Sequence, residues 1–121
     1  MIHMFHFRQG VRLGIRILGM YGLPADFDYS IFVGRVVERV TFMEYIVWVA
    51  FDAELSIAIE SSYSHQVSPD DEEQVVAVPP QRSTLMQLAG KVVESAEAQN
   101  PNTLVLRFRG GHVFKCFDDK K

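Results

Sequence analysis

A chain of 121 residues, 48% hydrophobic and 22% charged, has the size and balance of one globular domain, which excludes a disordered or fibrous protein. Its single cysteine, Cys116, rules out an internal disulfide framework and suits a reducing, cytoplasmic setting, and no apolar run reaches the roughly 18 residues of a membrane-spanning helix. The net charge of −3 is uneven: residues 1–24 hold three arginines and no acid, while the remainder holds nine basic and fifteen acidic side chains. An acidic body lacks the clustered cations that phosphate-backbone binding needs, so no nucleic acid partner is expected.

Residues 1–25 form a basic, apolar leader. Arg8, Arg12 and Arg16 break it too regularly for the apolar stretch of a secretion signal, and no small-residue cleavage site follows. Val11, Leu13, Ile15 and Ile17 alternate as a strand would, yet the three arginines also fall on one helical face, so an extra strand and a helix both remain open. Glycines at 10, 14 and 19 weaken the helix. An upstream extension is a third reading, because the repeat-bearing body, 26–121, begins only near Asp26.

That body repeats itself. Gly34-Arg35-Val36-Val37-Glu38 recurs as Gly90-Lys91-Val92-Val93-Glu94. One residue further out of step, Val47, Val49 and Phe51 match Leu104, Leu106 and Phe108, and Leu55, Ile57 and Ile59 match His112, Phe114 and Cys116. Residues 33–60 and 89–117 thus read as two copies of a Gly-strand-turn-strand-turn-strand unit.

In the first copy, Ile46 to Phe51 is apolar on both faces, as in a strand covered from two sides, and Leu55 to Ile59 alternates back after a turn at Asp52-Ala53-Glu54. Ser61 to Arg82, with Ser68-Pro69-Asp70-Asp71-Glu72-Glu73 and Pro79-Pro80, reads as a surface connection. Ser83 offers an N-cap for a short helix through Leu85, Met86 and Leu88 that stops near Gly90. A longer helix through Val92 and Ala96 also fits the spacing, but the first copy has no such continuation, which favours a strand over 91–99. Leu104 to Arg109 alternates cleanly, and Gly110-Gly111 supplies the positive φ angles of a tight hairpin. The expected fold is mainly β with a minor helical part: two three-stranded antiparallel meanders forming one sheet or a small barrel, with a short helix between the copies.

Phe32-Val33-Gly34-Arg35-Val36-Val37, the strand ending at Phe51, Gly90-Lys91-Val92-Val93 and Leu104 to Gly111 together resemble a family of small bacterial proteins of unknown function with duplicated β-meanders, over roughly residues 28–119. The resemblance implies a fold rather than catalytic residues, and some small proteins of similar build act as immunity partners for secreted toxins. The leader is foreign to this pattern, and the chain stops at Asp118-Asp119-Lys120-Lys121, soon after its last strand.

Candidate chemistry is sparse. Tyr63, Ser64 and His65 bring a phenol, a hydroxyl and an imidazole together in sequence, but a Ser-His dyad needs facing side chains and an orienting acid, so a solvated loop is the preferred reading. Cys116 between Phe114 and Phe117 reads as buried and inert despite His112 nearby. His3 and His6 would chelate a metal only on a helix, and 70–73 lacks the spacing and glycine of a calcium loop; no metal or cofactor is expected. Arg107, Arg109 and Lys115 form a small basic patch on the outward side of the second hairpin, without an aromatic platform for bases. Trp48 and Ile46 face away from Val47 and Val49 and need a cover, either the leader, the short helix or another subunit. These five residues form the candidate interaction surface of a non-enzymatic protein whose partner is another protein or a second copy. The alternative is a small-molecule-binding or hydrolytic barrel using Tyr63 and His65.

Overall fold

The computed structural model describes residues 28–100 and 102–117 in full, and residues 2–8 and 11–17 by their backbone. The strands are β1 (Ile2–Arg8), β2 (Val11–Ile17), β3 (Val37–Phe42), β4 (Val47–Phe51), β5 (Leu55–Ile59), β6 (Ser62–Gln66), β7 (Val75–Ala77), β8 (Val93–Asn100), β9 (Thr103–Phe108) and β10 (Val113–Phe117). Among the described residues the helical content is two short 3-10 turns, Tyr29–Phe32 and Leu85–Leu88. The chain is mainly β, as the alternation predicts. The two meanders do not merge into one sheet or close into a barrel; each forms one side of its own five-stranded antiparallel sheet, in the orders β2-β1-β5-β4-β3 and β7-β6-β10-β9-β8.

The duplication runs deeper than three strands. In one half the hairpin β1-β2 lies along β5, and in the other the hairpin β6-β7 lies along β10. The segment Ser61 to Arg82, expected as an irregular connection, therefore contains two strands. Ser62-Tyr63-Ser64-His65-Gln66 has one large apolar side chain, too few to show a period; what makes it a strand is the free edge of β10, whose amides and carbonyls need partners. The first 3-10 turn was equally hidden. Tyr29 and Phe32 stand where Leu85 and Leu88 stand in the second copy, and all four are buried.

The halves meet in a reciprocal seam. Gly34 N–H donates to Val93 O (2.8 Å) and Gly90 N–H to Val37 O (2.7 Å); Val37 N–H donates to Lys91 O (3.0 Å) and Val93 N–H to Arg35 O (2.8 Å). Val36 and Val92 form an antiparallel bridge at the centre. The glycines are required here, with φ of 83° at Gly34 and 84° at Gly90, a region that side-chain-bearing residues enter only with strain. Just beyond the seam the register slips once in each copy, at Glu38 between Val37 and Arg39 and at Glu94 between Val93 and Ser95. These bulges bend β3 and β8 away from the seam.

The seam aims the apolar faces of both sheets into one core. Val47, Val49, Phe51, Ile57 and Ile59 of the first half pack in the same cluster as Tyr63, Leu104, Leu106, Phe114 and Cys116 of the second. The first 3-10 turn lies on β8 and the second on β3, so each half plugs the other.

The turns between the last two strands of each half both place two successive residues at positive φ, but use different residues. Gly110 and Gly111 have φ of 95° and 102°, whereas Ala53 and Glu54 occupy φ of 57° and 59° in the first half. A left-handed alanine costs about 1 kcal/mol. Ala53→Gly should raise stability by up to about that amount, whereas Gly111→Ala should lower it by more, because the added Cβ would meet Pro69 Cδ at 3.1 Å. Urea midpoints of the two variants check both signs.

Candidate functional site

β6 places Tyr63 and His65 on the inner face of its sheet, beside Cys116 and Phe114, and turns Ser64 to the outer face beside Lys115 and Val75. The three residues adjacent in sequence are thus split between two sides. Tyr63 Oη bonds Ser83 Oγ at 2.7 Å, and the same oxygen accepts Leu85 N–H at 3.1 Å at the start of the second 3-10 turn. Burial raises the Tyr63 pKa, and the Ser83 hydrogen bond opposes that shift in part. Ser64 Oγ is buried and has no hydrogen-bond partner among the described residues.

His65 is held at both ends. Its Nδ1 lies 2.7 Å from Thr84 Oγ1 and its Nε2 lies 2.9 Å from His112 Nδ1, with the two ring planes 9° apart. His112, 8% exposed, arrives from the turn that follows Gly110-Gly111. Burial, and then the charge of His112, pull the His65 pKa down to about 4; burial, and then Lys91, lower that of His112. Both rings are therefore neutral near pH 7, and the chain Thr84–His65–His112 has a consistent hydrogen-bond pattern in either direction of proton donation.

The arrangement has the outline of a hydroxyl, a base and an orienting group. It lacks the chemistry. Among the described residues no carboxylate bonds either ring, and a base titrating near 4 takes a proton from a hydroxyl at neutral pH far less readily than one near 7. An open groove of about 550 Å³ runs beside Tyr63 and His65 and includes Asp71, Glu72 and Arg82. Both nitrogens of His65 are already engaged within the protein. Cys116 is fully buried, which drives its thiol pKa far above the usual range, away from the reactive thiolate. Among the described residues no three histidine, cysteine or acidic side chains gather as metal ligands. His3 has only its backbone described, as has His6.

Four of the five candidate surface residues are divided between the outer sides of two sheets, and the fifth, Arg109, lies in a turn. Ile46 and Trp48 alternate outward from Val47 and Val49; both are half-buried, and Ile46 O accepts Met43 N–H at 2.9 Å to close the β3-β4 turn. Arg107 and Lys115 lie on the outer side of the other sheet, Arg107 3.9 Å from Glu97 and Lys115 Nζ 2.6 Å from Glu73 Oε1. Arg109 sits in the β9-β10 turn, where its N–H donates to Val92 O at 2.9 Å.

The exposed large apolar side chains lie elsewhere, at Val33, Val67, Val75 and Met86 and at the β3-β4 tip. At the β3-β4 tip, Phe42, Met43 and Tyr45 are 39%, 52% and 71% exposed. The equivalent tip of the other half carries Gln99, Asn100 and Asn102, turn and solvent residues. Comparing the two copies at this position was the available sequence signal, since Phe42-Met43-Glu44-Tyr45 contains no turn former.

The histidine pair sets an acid limit. Because its pKa values are lowered in the folded state, the unfolded chain binds more protons between pH 6.5 and about 4, so stability falls as the pH drops through that window. The expected loss is on the order of 2 kcal/mol by pH 4. A double His65→Gln, His112→Gln variant should lose less over the same window, as followed by denaturation midpoints at pH 7 and 4.5. Ser64→Ala, which removes an unpartnered buried hydroxyl, should be neutral or stabilising by about 1 kcal/mol. The chain matches no protein-family model, no curated protein and no solved structure.

Proposed function

We propose that this is a non-enzymatic interaction protein, of regulatory or immunity type, that acts on another protein through the β3-β4 tip. The observation that carries this reading is the contrast between the two tips of a duplicated fold. One is built of polar turn residues, while the other presents Phe42, Met43 and Tyr45 to solvent. A cluster of aromatic and methionine side chains on a rigid hairpin is the composition of interface anchors rather than of free surface. The engaged state of Tyr63, His65 and Cys116 supports the same reading, because none is available as nucleophile or base. The single buried cysteine suits a cytoplasmic setting. No helix among the described residues is long and apolar enough to cross a membrane.

The test uses the tip itself. Phe42→Ser with Tyr45→Ser should leave the fold and its urea midpoint nearly unchanged, since both side chains are exposed. It should weaken partner capture by about 30-fold or more, the effect of losing a hot-spot anchor. Retention of full binding in that variant, or loss of binding only when Arg107 and Lys115 are replaced, would move the interface to the other sheet.

A further inference from the structure

His65 on β6 and His112 before β10 meet nitrogen to nitrogen, His65 Nε2 2.9 Å from His112 Nδ1. Their ring centres are 5.1 Å apart and their planes 9° apart. Centres so much further apart than the facing nitrogens place the rings end to end in nearly one plane, not face to face, so each facing nitrogen points straight at the other. Thr84 Oγ1, 2.7 Å from His65 Nδ1, can accept its N–H, which orients the ring and leaves Nε2 as a bare lone pair. The one proton on the line between the rings then belongs to His112. Once it sits on the far nitrogen of that ring, two neutral imidazole lone pairs oppose each other along a line.

We propose that His65 Nε2 and His112 Nδ1 form a linear, two-coordinate site for a monovalent copper(I) ion. The surroundings select that kind of cation. Among the described residues no third histidine, cysteine or acid joins the pair, so the four ligands that zinc takes are not gathered here. Lys91 is near enough to lower the His112 pKa, and its charge repels a divalent ion more than a monovalent one. Both rings are neutral at pH 7, so no added proton competes for the lone pairs. His65 also lines an open groove that holds Asp71 and Glu72, whose charges draw cations toward it. Two metal–nitrogen bonds of roughly 2 Å each require the rings to part by about 1 Å. His65 is tethered by Thr84, and His112, carried by the turn after Gly110-Gly111, is the ring that moves. The proton leaving His112 Nδ1 is replaced by one on its Nε2, so binding at neutral pH releases none and the copper keeps its oxidation state.

The test titrates the full nitrogen-15-labelled chain at pH 7 with silver(I), a redox-silent analogue of copper(I), in chloride-free buffer. Histidine ring nitrogen resonances are followed by NMR. One equivalent should produce silver–nitrogen splittings on one Nε2 and one Nδ1, those of His65 and His112. Splittings confined to His3 or His6, or none on any ring, overturn the proposal, and this result comes from the wild-type chain whether or not a variant folds. Replacing His3 and His6 together by Gln should leave the two splittings in place, and their disappearance overturns it. His65→Gln and His112→Gln, with folding checked by circular dichroism, should each weaken silver binding about tenfold or more; a folded variant with unchanged affinity overturns it. Copper(I), added anaerobically with ascorbate, should displace the silver and shift the same two nitrogens, and a silver signal that copper(I) leaves untouched overturns the assignment to copper.

Discussion

The four backbone hydrogen bonds exchanged between Gly34–Val37 and Gly90–Val93 constrain the rest of the molecule. They use main-chain groups, so they ask little of side chains beyond two glycines at positive φ, yet they orient two sheets with respect to each other. From that orientation follow the single shared core, the position of each 3-10 turn against the other half's bulged strand, and the outward direction of Trp48 and Arg107 on separate sides. Asp52 adds to the seam from the first half, its Oδ1 accepting Val36 N–H at 2.8 Å. The corresponding position in the second half is Arg109, which cannot accept such a bond, and there the backbone alone makes the link.

Near-symmetry of the backbone lets the two halves diverge in side chains without loss of the fold. The turn after β4 tolerates left-handed Ala53 and Glu54 where the turn after β9 has glycines. The β3-β4 tip became apolar while the β8-β9 tip stayed polar. The outer position of Trp48 is taken by Val105 in the other half, and that of Ala50 by Arg107. In β6 the inward position that faces Phe114 is His65, which no apolar core accepts unless both ring nitrogens are satisfied; Thr84 and His112 supply the two partners. The histidine pair is thus explained by the energetics of burial, and the same burial weakens it as a base.

Much of the architecture was legible. The Gly-x-Val-Val recurrence, the alternation of Leu55 to Ile59 and Leu104 to Phe108, and Gly110-Gly111 announce two meanders because local period and turn chemistry leave few other options. β6 and the turn at Tyr29–Phe32 were not legible, since neither has a period of its own; each exists because a neighbouring edge or core surface requires it. The surface residues fared similarly. Arg107 and Lys115 do point outward, but Lys115 is paired with Glu73, a residue 42 positions away that no local pattern connects to it.

The amino-acid sequence by itself determined that this is a β-rich chain with a doubled unit, because side-chain alternation and glycine conformations act over a few residues. Only the tertiary structure decided that the units form two sheets instead of one, that the doubled unit has five strands, that Tyr63 and Ser64 face opposite ways, and that His65 meets His112. Those outcomes depend on which free sheet edges and apolar faces find each other across the whole chain, and that is settled by packing and backbone hydrogen bonding between residues far apart in sequence.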